Sequence, residues 1–579
     1  MTELTSKPAT TEWFGTHLAD HRPAVPDGGR VDAVNVSRRV GARQILQEMS
    51  LSIEAGELVA IAGGSGAGKT TLLEILAGLQ PPSVGEVRHD GFLRGTRVSA
   101  VRRIGYVPQD DIIHLEMPLR RTLRYAARLR LPAGTPAAEA DRVVEETMHD
   151  LDLDDRAEVP VRALSGGQRK RASIAVELLT RPRLFLLDEP TSGLDPSTAA
   201  EVMGLLRRLS QRGVTVVLTT HEPAGIDRCD RVVFLTRGGH LAFTGSPTAA
   251  RRYFDVEDLA VVYERLAGEH TPRIWAHRFA ESRVKSKARP GLALQPAPVT
   301  RSDVKRTSVV RQWWLLTRRN VDVLFRNRLT LAILLGSPVL VTAMMATLFK
   351  RGAFDPGSAA DVGPAQIVFW IAFDGFFFGL TYGLLQIVGE MAVFRRERLA
   401  GLSVSAYVAS KVTALLPVLA GVSAVLLVVL RALGRLPALG WHVYALLFAT
   451  IVIEATSALA LGLLASAAVS NAAQAALALP MLCFPQVLFG GAIVPVDQMA
   501  IPGRLMSLVL SNRHAFDALG RDLDLDRYTA TLPAMSAYRD TFHGGTCASL
   551  IALTSFAVVL TLATVWVLDR RSAPGASRR

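Results

Sequence analysis

The sequence predicts two architectures in series: an α/β P-loop domain, then an all-α six-helix transmembrane domain. Three observations carry this reading. A strand-like run ends in Gly63–Thr70, a second buried run ends in Asp188–Glu189, and long uncharged stretches begin only at about residue 329. Composition agrees. With 579 residues, 49% hydrophobic, 20% charged and a mean hydropathy of +0.25, the chain is too apolar to be wholly soluble and too charged to be wholly embedded. Three cysteines, Cys229, Cys483 and Cys547, leave no disulfide framework and fit a reducing environment for at least part of the chain.

Residues 1 to 29 contain no apolar signal-peptide core, so they read as a flexible N-terminal tail around Trp13 and Phe14. Strand and helix patterns then alternate over residues 30 to 267. Within them, Leu58–Ala62 is a short buried-strand pattern that runs into Gly63, Gly64, Ser65, Gly66, Ala67, Gly68, Lys69 and Thr70 and then into a helical run from Thr71. This is a phosphate-binding loop in its strand-to-helix setting. Its glycines let backbone N–H groups turn toward phosphates, and the helix N-terminus adds the positive end of its dipole. Lys69 is expected to reach the β and γ phosphates and Thr70 to ligate Mg2+.

Leu184–Leu187 ends in Asp188 and Glu189, two carboxylates at the edge of a buried parallel strand, where ligands of open α/β sheets bind. Asp188 suits the magnesium shell. Glu189 is placed to orient or deprotonate the water that attacks a γ-phosphate. A further β-branched run, Val214–Leu218, leads to His221, expected to contact that phosphate and help hold the water.

Residues 268 to 307 read as a basic linker: ten basic residues between Arg273 and Arg311 face only Glu281 and Asp303, with three prolines interrupting. Lying just before the first apolar span, this charge fits anionic lipid head groups. The formal net charge of +13 is thereby explained without nucleic acid as a partner. From 308 to 569 a connecting helix precedes six candidate spans, at 329–349, 364–393, 408–430, 442–465, 472–494 and 547–568, each near the roughly 20 residues a hydrocarbon core requires. Arg395, Arg396, Arg398 and Lys411 after the second span, and Arg570, Arg571, Arg578 and Arg579 in the final tail (570–579), predict both termini on the cytoplasmic side of a plasma or inner membrane. Asp374 and Glu454 fall inside spans, where an ionisable group is costly and faces protein or a wet cavity. They are candidates for a substrate pathway, with helix packing as the competing role. Residues 493 to 547 read as an ordered external segment.

Leu164-Ser165-Gly166-Gly167-Gln168 resembles the signature of ATP-binding cassette ATPases, Tyr106-Val107-Pro108-Gln109 their Q-loop, and Ser192-Gly193-Leu194-Asp195 their D-loop. Val107 to His114, Thr122 to Ala127, Leu129 to Pro132, Lys170-Arg171 and Glu177 to Leu194 narrow the resemblance to subfamily G, the White-type half-transporters. Arg398 to Lys411 and Ser511 to Leu519 are similar to segments of that family's type 2 exporter membrane domain. The similarity covers about residues 31 to 569. It implies ATP and Mg2+ as cofactors, Gln109 as a further catalytic residue and metal ligand, and Ser165, Gly166, Gly167 and Gln168 closing on nucleotide held by a second chain. It further implies a dimer, formed with a second copy or with a different partner, that exports a lipid-like or amphipathic substrate. A membrane-anchored ATPase that transmits force without carrying substrate is the alternative. The Arg-rich basic set, in which only eight of 65 residues are Lys, fits a bacterial source. One departure stands out: from Gly29 to Gly64 there is no aromatic residue to stack on adenine, and Val40 holds that place. Guanidinium stacking by Arg38 or Arg39 is one alternative; the simpler reading is weak base recognition, with phosphates and Mg2+ supplying most of the affinity, so modest base selectivity is expected.

Overall fold

The computed structural model describes residues 28–90, 92–93, 104–223, 225–268, 272–285, 307–355, 363–529, 533–539, 541–542 and 545–572. The expected tail through residue 27, the linker residues 286–306 and the last seven residues lie outside them.

In chain order, β1 (Val31–Val40), β2 (Arg43–Ile53) and β3 (Leu58–Ala62) precede α1 (Lys69–Leu76). Next come β4 (Val84–His89), β5 (Phe92–Leu93), β6 (Ile104–Val107), α2 (Leu119–Arg130) and α3 (Ala137–Asp150). The chain continues through α4 (Gly166–Leu178), β7 (Leu184–Leu187), α5 (Pro196–Gln211), β8 (Thr215–Thr220), β9 (Arg231–Thr236) and β10 (His240–Gly245). Three helices follow, α6 (Pro247–Phe254), α7 (Ala260–Gly268) and α8 (Pro272–Lys285). The remainder is helical: α9 (Val309–Arg326), α10 (Arg328–Leu348), α11 (Pro364–Leu384), α12 (Met391–Leu399), α13 (Val404–Ala432), α14 (Trp441–Ala468), α15 (Ala472–Leu488), α16 (Ile501–Leu508), α17 (Ser511–Asp522) and α18 (Thr546–Ser572).

The described residues form two compact units, one lying within 28–111, 149–153 and 165–285, the other within 112–148, 154–164 and 307–572. In the first, a four-stranded antiparallel sheet has the order β2-β1-β4-β5, and a six-stranded sheet has the order β10-β9-β3-β8-β7-β6. Strands β9, β3, β8, β7 and β6 are parallel; β10 is antiparallel. Every residue of β3, β7 and β8 is buried, which is why these strands read as unbroken apolar or β-branched runs. Helix α8 corrects the expected linker. Trp275 and Phe279 lie one turn apart and bury against the rings of Phe243, Tyr253 and Phe254, so the first part of that basic stretch is folded.

In the second unit, α9 is amphipathic and its inner face is unusually polar. Arg319 donates through both terminal guanidinium nitrogens to Glu397 on α12, and Asn320 donates to Ser410 on α13 at 3.0 Å. Helix α2 joins it, Arg121 binding Asp322 with a two-pronged contact at 2.8 and 2.7 Å. Lys411 of α13 donates to Glu390, the residue before α12, at 2.6 Å.

Among the described residues, five helices are long and apolar enough to cross a membrane: Thr330–Leu348, Pro364–Leu399, Val404–Ala432, Trp441–Ala468 and Thr546–Ser572. The sixth expected span is a shorter helix. Ala472–Leu488 has 17 residues with Pro480 and Pro485 inside it, and at 1.5 Å per residue reaches about 25 Å, short of a hydrocarbon core. Helices α11 and α14 pack closely. A Cβ on Gly379 would lie 2.1 Å from the Ala455 carbonyl oxygen, and one on Gly383 would lie 2.7 Å from that of Leu459, so these small residues let two backbones touch.

Candidate nucleotide site

The central strands build the site. Register sets Ile61 of β3 beside Thr219 of β8 and Ala62 beside Thr220, while β7 flanks the other side of β8 with Leu187 beside Leu218. Three neighbouring strands therefore deliver the phosphate loop, Asp188–Glu189 and His221 to the same sheet edge. In the loop, Gly68 has φ +89°, and a Cβ there would lie 2.6 Å from a Leu46 methyl, so backbone conformation and space both demand glycine. Helix α1 starts at the next residue, aiming its free N–H groups into the loop.

Lys69 is buried, and its Nζ donates to the carbonyls of Gly63 at 3.0 Å and Gly64 at 3.2 Å. It also lies 3.8 Å from Glu189 Oε1. Burial pulls the ammonium below its ordinary range, against the opposing pull of Glu189 and Asp188. Thr70 Oγ1 donates to Asp188 Oδ1 at 3.1 Å. A hydroxyl and a carboxylate converging in this way are hard oxygen donors of the kind Mg2+ takes, so these residues fit that ion.

Glu189 has φ +44°, a left-handed conformation that is costly away from glycine and is kept where the surroundings enforce it. Its Oε2 lies 3.1 Å from His221 Nδ1 and accepts from Gln109 Nε2 at 3.3 Å. Gln109, expected also as a metal ligand, bonds Glu189 rather than joining Thr70 and Asp188. Sequence reasoning missed two supporting residues. Lys170, 4% exposed, donates to the Gln109 carbonyl at 2.7 Å and pairs with Asp111 at 3.2 Å, fixing the Q-loop backbone. Thr219 is wholly buried between the acids and the loop strand. The signal for Thr219 was a polar residue on a strand whose neighbours are buried, whereas Lys170 entered only as part of the subfamily G resemblance.

A family model for the ABC transporter ATPase domain matches residues 46–192, and one for the ABC-2 type transporter membrane domain matches residues 311–520, together more than half of the chain. The chain belongs to the ATP-binding cassette transporters. It is 33% identical over 498 residues to the ABC transporter ATP-binding/permease protein Rv1747 of Mycobacterium tuberculosis, covering 84% of this chain and 56% of that protein. It is 30% identical over 434 residues to ABC transporter G family member 22 of Arabidopsis thaliana, covering 65% of this chain and 57% of that one. The chain thus spans a little over half the length of these curated relatives. A dimeric structure of the ATP-binding cassette MJ0796 bound to ADP and Pi is 28% identical, with a TM-score of 0.35, covering 37% of this chain and 98% of that one.

In this chain the ATPase domain comes first and the ABC-2 type membrane domain second. The signature opens α4: Ser165 accepts from the Gln168 amide, and the Gln168 side chain accepts from the Ser165 amide, a complete capping box. Ser165 and Gly166 are exposed. Gly167 is where α4 meets α5, since a Cβ would fall 2.2 Å from a Thr198 methyl. Asp195 of the D-loop caps α5, and hydrogen bonds from Ser197 and Thr198 hold its carboxyl well below the usual range. Neither arginine near Val40 is idle. Arg38 donates to the Pro81 carbonyl at 2.7 Å and Arg39 to Gln44 at 3.1 Å.

In the membrane domain, Asp374 is 5% exposed and Glu454 fully buried, so both face protein within the chain. Glu454 accepts from Ser511 at 2.8 Å, a contact between α14 and α17. All three cysteines are free; Cys547 is exposed.

Proposed function

We propose that the protein is an ATP-hydrolysing half-transporter that pairs with a second chain and moves a lipid-like or amphipathic substrate outward across a cell membrane, with both termini in the cytoplasm. The observation carrying this is the meeting of Lys69, Thr70, Asp188, Glu189 and His221 at one sheet edge while Ser165 and Gly166 stand exposed. One chain offers one phosphate loop and one open signature, which fits half of two composite sites.

In this reading Lys69 and the loop amides hold the phosphates, and Thr70 and Asp188 hold Mg2+, which supplies charge neutralisation at the transferred phosphoryl group. Glu189 positions the attacking water and takes its proton, and His221, 3.1 Å away, steadies that carboxylate. Transport is supported by the ABC-2 type domain and by the mycobacterial relative's name as a permease. The test is ATP-dependent uptake of candidate lipids into inside-out vesicles. Uptake that tracks hydrolysis is expected; hydrolysis with no lipid moved, across lipid classes, would favour an anchored ATPase that carries no substrate.

A further inference from the structure

We propose that Thr219 is a positioning residue for hydrolysis, its single hydroxyl setting both the carboxylate of Asp188 and the strained backbone of Glu189. The inference rests on the roles given to those two acids above. Thr219 is 0% exposed and stands on β8 between β3 and β7, so its side chain lies at the junction of the phosphate-loop strand and the acid-bearing strand.

A hydroxyl has one proton and two lone pairs, and both kinds of valence are used here. Its proton goes to Asp188 Oδ1 at 2.5 Å, and its oxygen accepts from the Glu189 amide at 2.9 Å. Thr70 donates to the same Oδ1 at 3.1 Å. Two hydroxyls converging on one oxygen, one from the first turn of α1 and one from β8, fix the rotation of the Asp188 carboxylate. The second bond acts on the neighbour. Glu189 holds φ +44° although it is not glycine, and its amide is tied down by Thr219. Without that acceptor, the backbone is free to relax toward the right-handed region and swing the Glu189 side chain away from His221. One buried atom thus aligns the acid assigned to the metal with the acid assigned to water, a coupling that separate supports would not provide.

The test compares full-length protein carrying Thr219→Val, which keeps the shape and removes the hydroxyl, with Thr219→Ser, which keeps the hydroxyl. Steady-state ATPase kinetics are read beside Mn2+ binding in the presence of a non-hydrolysable ATP analogue, followed by electron paramagnetic resonance. For Thr219→Val, kcat is expected to fall by about tenfold or more, as misplacement of a catalytic group does. KM for ATP should stay within about twofold, the pattern of a lost transition-state interaction. Half-saturating Mn2+ should rise several-fold, while metal-free nucleotide binding stays native. Thr219→Ser should restore most of both losses. If the valine variant does not fold, Thr219→Ala is read in the same way. Native kcat and native Mn2+ affinity in the variant lacking the hydroxyl, or a serine variant no better than it, would overturn the proposal. Glu189→Gln is assayed in parallel: if that variant turns over at the native rate, the site assignment itself is wrong, whatever Thr219 does.

Discussion

Ser511 donates its hydroxyl to Glu454 at 2.8 Å, tying the first turn of α17 to the middle of α14. The next residue repeats the device on another helix, the Asn512 amide donating to Gln486 Oε1 on α15 at 3.0 Å. Two successive residues therefore clamp α17 to two helices. Glu454→Ala leaves the buried Ser511 hydroxyl unpaired and should cost about 1–3 kcal/mol. Glu454→Gln keeps an acceptor and should stay near native. Thermal unfolding in detergent, with proteolysis of residues 495–545 as a local readout, checks both; equal stability of the alanine and glutamine variants would remove the clamp.

Hydrolysis and binding should separate at the nucleotide site. Glu189→Gln is expected to lower turnover by about a hundredfold or more while leaving ATP affinity close to native, since the proposed role of the carboxylate is on the attacking water. Lys69→Ala should weaken ATP binding itself. Native affinity after the loss of Lys69 would contradict its place at the phosphates.

The exposed signature predicts complementation between chains. Ser165→Arg blocks one face of a composite site and Lys69→Ala the other, so in mixed dimers both lesions fall in one site and the second site is intact. Each variant alone should be inactive, and co-assembled chains should recover part of the native ATPase rate. No recovery from a verified mixed dimer, or native activity from a strict monomer, would count against pairing.

His114 predicts an acid-side loss of stability. Burial, and then Arg319, push its imidazole down to about 4, with Lys411 adding to the effect and Glu390 and Glu397 opposing it. Its Nε2 has no hydrogen-bond partner among the described residues. The unfolded chain takes this proton near pH 6.5. Stability is therefore full above about 6.5, falls as pH drops from there toward 4, and levels below, a change of about 3 kcal/mol in all. Thermal unfolding followed over pH should show that slope in the native protein and lose it in His114→Gln.

What the sequence by itself determined is whatever lies in consecutive residues. Gly63–Thr70 needs only its own glycines and the strand and helix that flank it, Asp188–Glu189 ends a visible apolar run, and uncharged stretches mark a change of solvent. Ser165 and Gln168 are three apart, so their capping box is local too. The tertiary structure decided what depends on partners distant in the chain. Thr219 becomes a bridge only because β8 lies between β3 and β7, and Lys170 meets Gln109 only across 61 residues. Trp275 and Phe279 turned a basic stretch into a helix because distant rings were there to bury them. Apolar composition alone could not reveal that α15 stops at 17 residues, because the residues after Leu488 remain apolar. Hydropathy reads which solvent a residue prefers, whereas the end of a helix and the partner of a buried hydroxyl are set by packing against segments far away in the chain.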